Sequence, residues 1–339
     1  MVMILLGEIY SCQWTWRCLA MVDLATSDCI MAISFHHTIR SITKMRLLSS
    51  LDVLSRGLKF LDIDTYNKSN EWQLKTFHAH YGSKPNVLAD MWFDLVADGN
   101  LTKKEKSIEG FKRFMMAFYF LYHYPKSSEA FAARFKVGER SCRGKPLWDW
   151  ISLIASLKKK KIKWPARLNS SLTETFIVTV DGVDFRVWEK QHPLFPIDKS
   201  QCSQKFSHGA VKYEIAISIF EPKVVSIDGP HRGGKHDLTI FKEKLMHLIR
   251  EGKKVIADRG YRSNQLQMLS TPNALDSKQL HNFKSRARAR HETFNGRIKK
   301  FQSMEQTFRH GAVKHKLAFE AVVVTLQYQM DNGNPIFDV

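Results

Sequence analysis

The spacing of apolar positions changes part-way along this chain of 339 residues. Between about residues 46 and 165, apolar side chains recur every three or four positions, as they do on one face of an α-helix. Pro85, Pro125 and the pair Gly99-Asn100 interrupt this spacing where helices are expected to begin or end. We therefore predict an all-helical domain over residues 46–165.

From about residue 170 the pattern is that of strands. Three runs rich in β-branched residues predict three strands, namely TFIVTVDGVDF, AVKYEIAISIF and KVVSIDGP. HDLTIFKEKLMHLIREG then predicts an amphipathic helix, KKVIADRGY a fourth strand, and the residues around Glu292 a further helix. This order is typical of an α/β fold with helices against a mixed sheet, which we assign to residues 170–330. Residues 1–45 show no sustained period and receive no assignment.

One stretch of the helical domain has the layout of a helix-turn-helix. A short helix is followed by a turn at Gly138 and by a second helix that opens with Arg140, Ser141, Arg143 and Lys145. Arg140 and Arg143 are the DNA contacts that this layout predicts. Two alternatives stay open: packing of three helices without DNA contact gives the same pattern, and Gly144 with Pro146 would break the second helix near its start.

The charge of the chain adds a partner to this picture. Lys and Arg number 52 against 33 Asp and Glu, which gives a net charge of +19. Nucleic acid is the first polyanion that such a balance indicates, an anionic membrane surface is the second, and a basic but solvated surface is the third interpretation. The run Lys158–Lys161, closed by Pro165, predicts an exposed linker, with nuclear import or phosphate contact as alternatives.

Cysteines and hydropathy exclude several classes of protein. The five cysteines are odd in number and form no CxxC pair, so neither a disulfide framework nor a zinc ribbon is indicated, and a reducing compartment is expected. No run of about 18 apolar residues occurs, so we expect no membrane span. The start MVMILLGEIY is interrupted by Glu8 and lacks the basic region of a secretory signal.

Three acidic residues are the strongest candidates for chemistry. Asp181 and Asp258 each follow an apolar run that predicts a buried strand, whereas Glu292 lies in a segment with helical spacing. Carboxylates are the ligands that hard divalent cations prefer, so their convergence predicts metal-dependent phosphoryl transfer. Taken singly, each has a plainer interpretation. The two Asp residues could belong to turns beside Gly, and Glu292 could form an ordinary helical pair with Arg288 worth about 0.2 to 0.5 kcal/mol.

The helix around Glu292 is expected to have an apolar face and a basic face. At about 100° per residue, one stripe contains Leu280, Phe283, Ala287, Phe294, Ile298 and Phe301. Ser285, Arg288, Glu292 and Lys299 lie on a different face. Between Lys278 and Lys316 there are eleven Lys or Arg and two acids, so this surface is expected to attract phosphate.

The order and spacing of the three acids resemble the ribonuclease-H-like catalytic core of DDE transposases and retroviral integrases. Asp181 and Asp258 are 77 positions apart, and Asp258 and Glu292 are 34 apart. The strings VDG, ADRGY and RARHETFNGRIK resemble the insertion-sequence and Harbinger-like type, the DDE superfamily endonucleases. Arg288, Glu292 and Lys299 match that family's signature, but Ser285 stands where the family has Tyr.

The resemblance implies a fold and a chemistry. The fold would be a ribonuclease-H-like mixed sheet with flanking helices, preceded by the helical domain. Two Mg²⁺ or Mn²⁺ ions would bind the triad, with Asp181 bridging them and Asp258 and Glu292 on one ion each. The expected reaction is cleavage of double-stranded DNA, with rejoining in strand transfer. A homo-oligomer, an accessory DNA-binding protein, and a nuclear location in a eukaryotic host (cytoplasmic otherwise) are further implications.

The resemblance also suggests roles for neighbouring residues. Arg288 and Lys299 would hold the scissile strand by its phosphates, and Arg259 and Tyr261 are lesser candidates whose alternative roles are sheet-edge packing or a surface ion pair. The loop IDGPHRGGKHD has a rival interpretation as a transition-metal site formed by Asp228, His231, His236 and Asp237. The family pattern instead favours Asp237 as a helix cap, or else as a secondary acid of the active site.

Two other functions compete with DNA cleavage. A domesticated, non-cleaving DNA-binding protein could keep the fold, and the missing Tyr at Ser285 favours it. Three retained carboxylates argue against it, because such a cluster is costly without a metal. A ribonuclease of the same fold is disfavoured by the 34-residue interval and by the helical domain.

Overall fold

A computed structural model describes residues 48–99, 101–170, 175–188, 198–203, 205–261, 263 and 266–339. The unassigned segment 1–45 lies outside these residues. In the described part of the chain, no helix is both long enough and apolar enough to cross a membrane.

The first half of the described chain is helical, as the spacing of apolar residues predicts. Its longer helices are α1 (Ser50–Phe60), α2 (Asn70–Tyr81), α3 (Pro85–Ala97), α4 (Ile108–His123), α5 (Ser128–Phe135) and α7 (Lys145–Ser156), and its single turns are α6 (Arg140–Arg143), α8 (Lys158–Lys161) and α9 (Arg167–Ser170). Serine side chains accept hydrogen bonds from backbone N–H groups at the starts of α1, α2, α4 and α5. Local sequence therefore sets these boundaries.

The predicted helix-turn-helix is not formed as a continuous pair. The second helix breaks at Gly144, whose backbone is extended, so that Arg140 and Arg143 lie on α6 while α7 starts separately with Pro146 in its first turn. Six residues of α7 are buried, Leu147, Trp148, Trp150, Ile151, Ile154 and Ala155. This helix is largely a core element, and the expectation of one recognition helix opening at Arg140 is wrong.

The basic run Lys158–Lys161 is not a free linker. Lys158 contacts Glu320 at 2.6 Å, Lys160 contacts Asp94 at 2.6 Å, and Lys161 contacts Asp331 at 2.7 Å. These partners lie on α3 and on the long C-terminal helix α13 (Ala312–Asp331). Three of the four lysines thus connect α8 to α3 and α13, which corrects the prediction of an exposed linker.

A five-stranded mixed sheet follows the helices. Its strands are β1 (Phe176–Arg186), β2 (Ala210–Ser218), β3 (Val224–Arg232), β4 (Lys254–Ile256) and β5 (Leu269–Ser270), in the spatial order β3-β2-β1-β4-β5. The first three strands pair antiparallel, and β4 and β5 run parallel to β1. The α/β fold class is confirmed, while the two-residue strand β5 is an element that the sequence pattern did not predict.

The remaining helices flank this sheet. They are α10 (Asp237–Glu243), α11 (Lys278–Lys299), α12 (Gln302–Glu305) and α13. Helix α10 is shorter than predicted, because Lys244 leaves helical geometry and its ammonium group reaches Ile227 O and Asp228. A 3₁₀ turn, Leu245–Leu248, continues the segment.

One buried cluster joins the sheet to the helical region. It includes Trp150 of α7, Phe185 of β1 and Phe319 of α13. The other large cluster contains Val178, Phe241 and Tyr261, and it lies between the sheet and α10. The domain boundary near residues 165–170 stays a prediction, but the apolar contacts cross it.

Candidate active site

The first two acids meet where the pairing of β1 and β4 ends. Strand β4 pairs with β1 from Phe176 to Thr179, so Asp181 lies just beyond the paired part, in the middle of β1. Asp258 follows the end of the parallel strand β4 by two residues. The carboxyl ends of neighbouring parallel strands form a crevice, and these two side chains enter it from adjacent strands.

The third acid reaches the same crevice from a helix. Glu292 is exposed on α11, and it lines one cavity of about 690 Å³ together with Asp181 and Asp258. Arg288 and Lys299 also line this cavity. Ala287, Phe294 and Ile298 are buried on the opposite side of the helix, which is the division into two faces that helical spacing predicts.

The acids interact electrostatically. Burial, followed by the negative charge of Asp258, raises the pKa of Asp181 to about 7, and the charge of Asp237 acts in the same direction. Arg288 opposes this effect and favours the ionised form. The raised pKa of Asp181 therefore comes first from its burial and second from the neighbouring acids.

Asn295 holds the Asp181 carboxylate. Its amide Nδ2 donates a hydrogen bond of 3.1 Å to Asp181 Oδ2. Asn295 follows Glu292 by three positions, so both lie on the cavity side of α11. Its position on the helical face of Arg288, Glu292 and Lys299 is the signal in the sequence that points to Asn295.

Asp237 lies in the site and does not cap a helix. The cap of α10 is His236, whose ring accepts a hydrogen bond from the Leu238 N–H at 3.3 Å. The carboxylate of Asp237 instead lies 2.9 Å from the ammonium group of Lys212 and lines the cavity. The capping interpretation is wrong, and the alternative of a secondary acid has the geometry in its favour.

Two glycines give Asp237 its space. A Cβ atom built on Gly182 would lie 2.7 Å from Asp237 Oδ1, and one built on Gly260 would lie 3.1 Å from Asp237 Oδ2 and 3.0 Å from Asp258 Oδ1. Gly182 is inside strand β1, not in a turn. At both positions, the carboxylate of Asp237 occupies the space that a side chain would need.

Residues 180–326 match the model of the DDE superfamily endonucleases. That segment belongs to this family. The matched range contains Asp181, Asp258 and Glu292, and it extends into α13. No curated protein and no solved structure matches the chain.

The DDE endonuclease segment has a second basic wall, formed by Lys205, Lys212 and Lys235. Lys212 lies between two acids, 2.9 Å from Asp237 and 3.8 Å from Asp184, and Asp184 also accepts a hydrogen bond from the Ser203 hydroxyl. Lys212 is a residue that sequence reasoning missed. Its only signal was a charged residue inside the apolar strand run AVKYEIAISIF.

The DNA contacts predicted beside Asp258 differ in exposure. Arg259 is exposed, but Tyr261 is only 1% exposed and packs edge-on against Phe241 at 6.2 Å. A DNA contact by Tyr261 is therefore wrong, and its alternative role in packing is the observed one. Arg140 and Arg143 are exposed on α6, where Arg143 pairs with Glu139 at 2.8 Å.

The basic count of α11 overstates the surface of the DDE segment. Lys284 is buried beside Asp276 at 2.8 Å, and Arg290 is 1% exposed and donates to the carbonyl oxygens of Ser218 and Ile219 at 3.0 Å. Arg286 and Arg297 donate to backbone carbonyls of residues 334–338. Within the described residues, neither Arg288 nor Lys299 forms an ion pair like that of Lys284 with Asp276.

The residues of the loop IDGPHRGGKHD, which could have formed a transition-metal site, make other contacts instead. Asp228 binds His231 at 2.7 Å and Lys244 at 2.8 Å, while His236 caps α10. In the described ranges, no group of three or more His, Cys, Asp or Glu side chains is arranged closely enough to hold a metal ion. The loop therefore does not form the predicted transition-metal site.

The acids of the DDE cavity fit a divalent cation by their chemistry. Asp181, Asp258 and Glu292 present hard carboxylate oxygens, which Mg²⁺ and Mn²⁺ prefer. A bound cation would favour the ionised form of Asp181, whose pKa is raised first by burial and then by the negative charge of Asp258. The carboxylates line one open cavity, but they do not converge on a single position.

Proposed function

We propose that the protein is a transposase-type DNA endonuclease that cleaves DNA phosphodiesters, and rejoins them in strand transfer, with two divalent ions held by Asp181, Asp258 and Glu292. The observation that carries this proposal is the meeting of these three carboxylates in one cavity of a segment that belongs to the DDE endonucleases. Bound divalent ions supply activation of the attacking water and stabilisation of the leaving oxygen.

The chain's own residues have distinct tasks in this proposal. Asp181, Asp258 and Glu292 bind the ions, and Asn295 keeps the Asp181 carboxylate in one orientation through its hydrogen bond. Arg288 and Lys299 lie along one side of the cavity, and Lys205 lies on another. Cations on different sides of the acids suit a phosphate backbone that passes over them, and such contacts give affinity without base specificity.

The partners follow from the same chemistry. Double-stranded DNA is the substrate that we propose, and a homo-oligomer or an accessory DNA-binding protein would bring two DNA ends together. A nuclear location belongs to the proposal for a eukaryotic host.

A non-cleaving DNA-binding protein is the second candidate. The replacement of the family's Tyr by Ser285, which is exposed on α11, favours it. Both candidates bind DNA, so cleavage is the property that separates them.

A nicking assay tests the proposal. Terminal-repeat and random duplex DNA are incubated with the full chain in Mg²⁺, Mn²⁺ or EDTA, beside Asp181→Asn and Glu292→Gln. We expect cleavage with metal, none in EDTA, and a loss of roughly 1000-fold or more in each variant. Asp228→Asn is the matched control, because this carboxylate binds His231 and Lys244 outside the cavity.

The outcomes separate the candidates. DNA binding without nicking under any of these conditions would favour the non-cleaving protein. Nicking that survives both active-site substitutions would exclude the triad as the catalytic group. Cleavage of RNA in preference to DNA would indicate a ribonuclease.

A further inference from the structure

We infer that Asp237 is a fourth carboxylate of the divalent-cation site and that Lys212 holds it there. This inference rests on the proposed function, because it adds a residue to the site that the triad defines. Asp237 comes from helix α10, an element that supplies none of the three family acids.

The direction of the Asp237 carboxylate is the first support. Its Oδ1 atom faces Lys212 at 2.9 Å. Its Oδ2 atom and Asp258 Oδ1 lie 3.1 and 3.0 Å from one point, the position that a Cβ on Gly260 would occupy. Among the described residues, none donates a hydrogen bond to Oδ2, so this oxygen is available on the side where Asp258 lies.

The two glycines are the second support. A methyl group on Gly182 would come within 2.7 Å of Asp237 Oδ1, a distance at which the carboxylate must move. Neither Gly182 nor Gly260 has a positive φ, so their backbone conformations do not require glycine. The absence of a side chain at both positions serves the close approach of Asp237.

Lys212 provides a positive charge beside the Asp237 carboxylate. The ammonium group of Lys212 offsets part of the negative charge of Asp237, and so reduces the repulsion that this carboxylate exerts on Asp181. Lys212 is itself anchored, because Asp184 lies 3.8 Å from its ammonium group and only 12% of its side chain is exposed. We therefore assign Lys212 as the positioning residue and Asp237 as the ligand.

The test is the affinity of the full chain for Mn²⁺ alone, measured by electron paramagnetic resonance of the free ion without DNA. We expect Asp237→Asn to weaken Mn²⁺ binding by about 10- to 100-fold. Lys212→Met should weaken it less, because the carboxylate remains but loses its anchor; unchanged or tighter Mn²⁺ binding in this variant would overturn the role of Lys212. Asp228→Asn should leave it unchanged, since this acid has other partners and lies outside the cavity. Thermal unfolding of each variant verifies that it is folded.

Gly182→Ala provides a test that removes no carboxylate. We expect it to weaken Mn²⁺ binding about as much as Asp237→Asn does, because the methyl group displaces Asp237. In the double variant, Gly182→Ala should add little to Asp237→Asn, since both act on one group. Gly296→Ala is the matched control, because it also adds a methyl group to the cavity lining but nothing lies within 4 Å of it.

The results separate this inference from the proposed function. If the wild type binds no Mn²⁺, or if Asp181→Asn binds it unchanged, the proposed function fails. If Asp181→Asn weakens binding while Asp237→Asn and Gly182→Ala do not, only the fourth carboxylate is overturned. Fully additive losses in the double variant would show that Gly182 acts apart from Asp237, which would also overturn the inference.

Discussion

Two basic segments of this protein look alike in sequence and differ in structure. Lys158–Lys161 is the denser run, yet three of its lysines contact acids of α3 and α13. Helix α11 has more widely spaced cations, and two of them, Arg288 and Lys299, line the acidic cavity. The difference teaches that the partners of a cation, and not its density along the chain, decide whether it is available to DNA.

The same comparison applies to the acids of the cavity. A substitution of Asp181 is expected to have the largest effect on stability. Because burial and neighbouring acids raise the pKa of Asp181 to about 7, the folded protein holds a proton there more tightly than the unfolded chain does. The resulting stability is present below about pH 4 and is lost as the pH rises to about 7. Asp181→Asn should therefore exceed the wild type in stability above pH 7 by up to about 4 kcal/mol in EDTA.

Urea unfolding of both proteins between pH 4 and pH 8 measures this effect. The difference between the two proteins is the relevant quantity, because buried histidines such as His315 affect both curves alike. A difference that stays constant with pH would contradict the prediction.

Helix α11 also contains a buried cation, Arg290, which contrasts with Arg288 and Lys299 at the cavity. Its guanidinium group is buried and donates to the carbonyl oxygens of Ser218, Ile219 and Glu221. Arg290→Met leaves these acceptors without a donor, so we expect a loss of about 3 kcal/mol in the free energy of unfolding. Chemical denaturation measures it, with the neighbouring exposed Ser285→Ala as the control.

Lys160→Met should destabilise the protein without changing its affinity for DNA. It removes the cation beside Asp94, whose other oxygen accepts a hydrogen bond from the Tyr328 hydroxyl at 2.5 Å. We expect a loss of about 1 to 3 kcal/mol in unfolding free energy and an unchanged DNA affinity. Lys159→Met, on the exposed neighbour, is the control. Weakened DNA binding in a folded Lys160→Met protein would contradict the assignment of this run to packing.

Arg288→Met and Lys299→Met should show the opposite behaviour. Each is expected to reduce the slope of log K against log salt by about 1 and to weaken DNA binding at all sequences alike. Stability should change by no more than about 0.5 kcal/mol. Fluorescence anisotropy at several salt concentrations measures the slopes. A slope that does not change in either variant would remove these residues from the DNA surface.

Much of the fold could be predicted because its signals are local. Serine caps mark the starts of helices, the β-branched runs mark β1 to β4, and the spacing of α11 separates its buried face from its basic face. The element order around Asp181, Asp258 and Glu292 then indicated the catalytic family. Strand β5 was missed because two residues carry too little pattern.

The remaining features depend on contacts between distant positions. Nothing near Lys160 in the chain indicates Asp94, and nothing near Arg290 indicates the carbonyl groups around residue 219. Gly182 looks like a turn glycine in the sequence, because the chain nearby does not show what occupies the space beside it. That group is Asp237, which lies 55 positions later. Tyr261 looked available because its neighbour Asp258 faces the cavity, whereas the Tyr261 ring turns into the core.

The clamp on Arg290 has a consequence for the orientation of Glu292. Arg290 precedes Glu292 by two positions, about 200° around the helix, so fixing the first directs the second. The clamp consists of backbone carbonyls where β2 leads into β3, about 70 residues earlier in the chain. The orientation of Glu292 in the folded protein therefore depends on a contact between α11 and a segment that is distant in the chain.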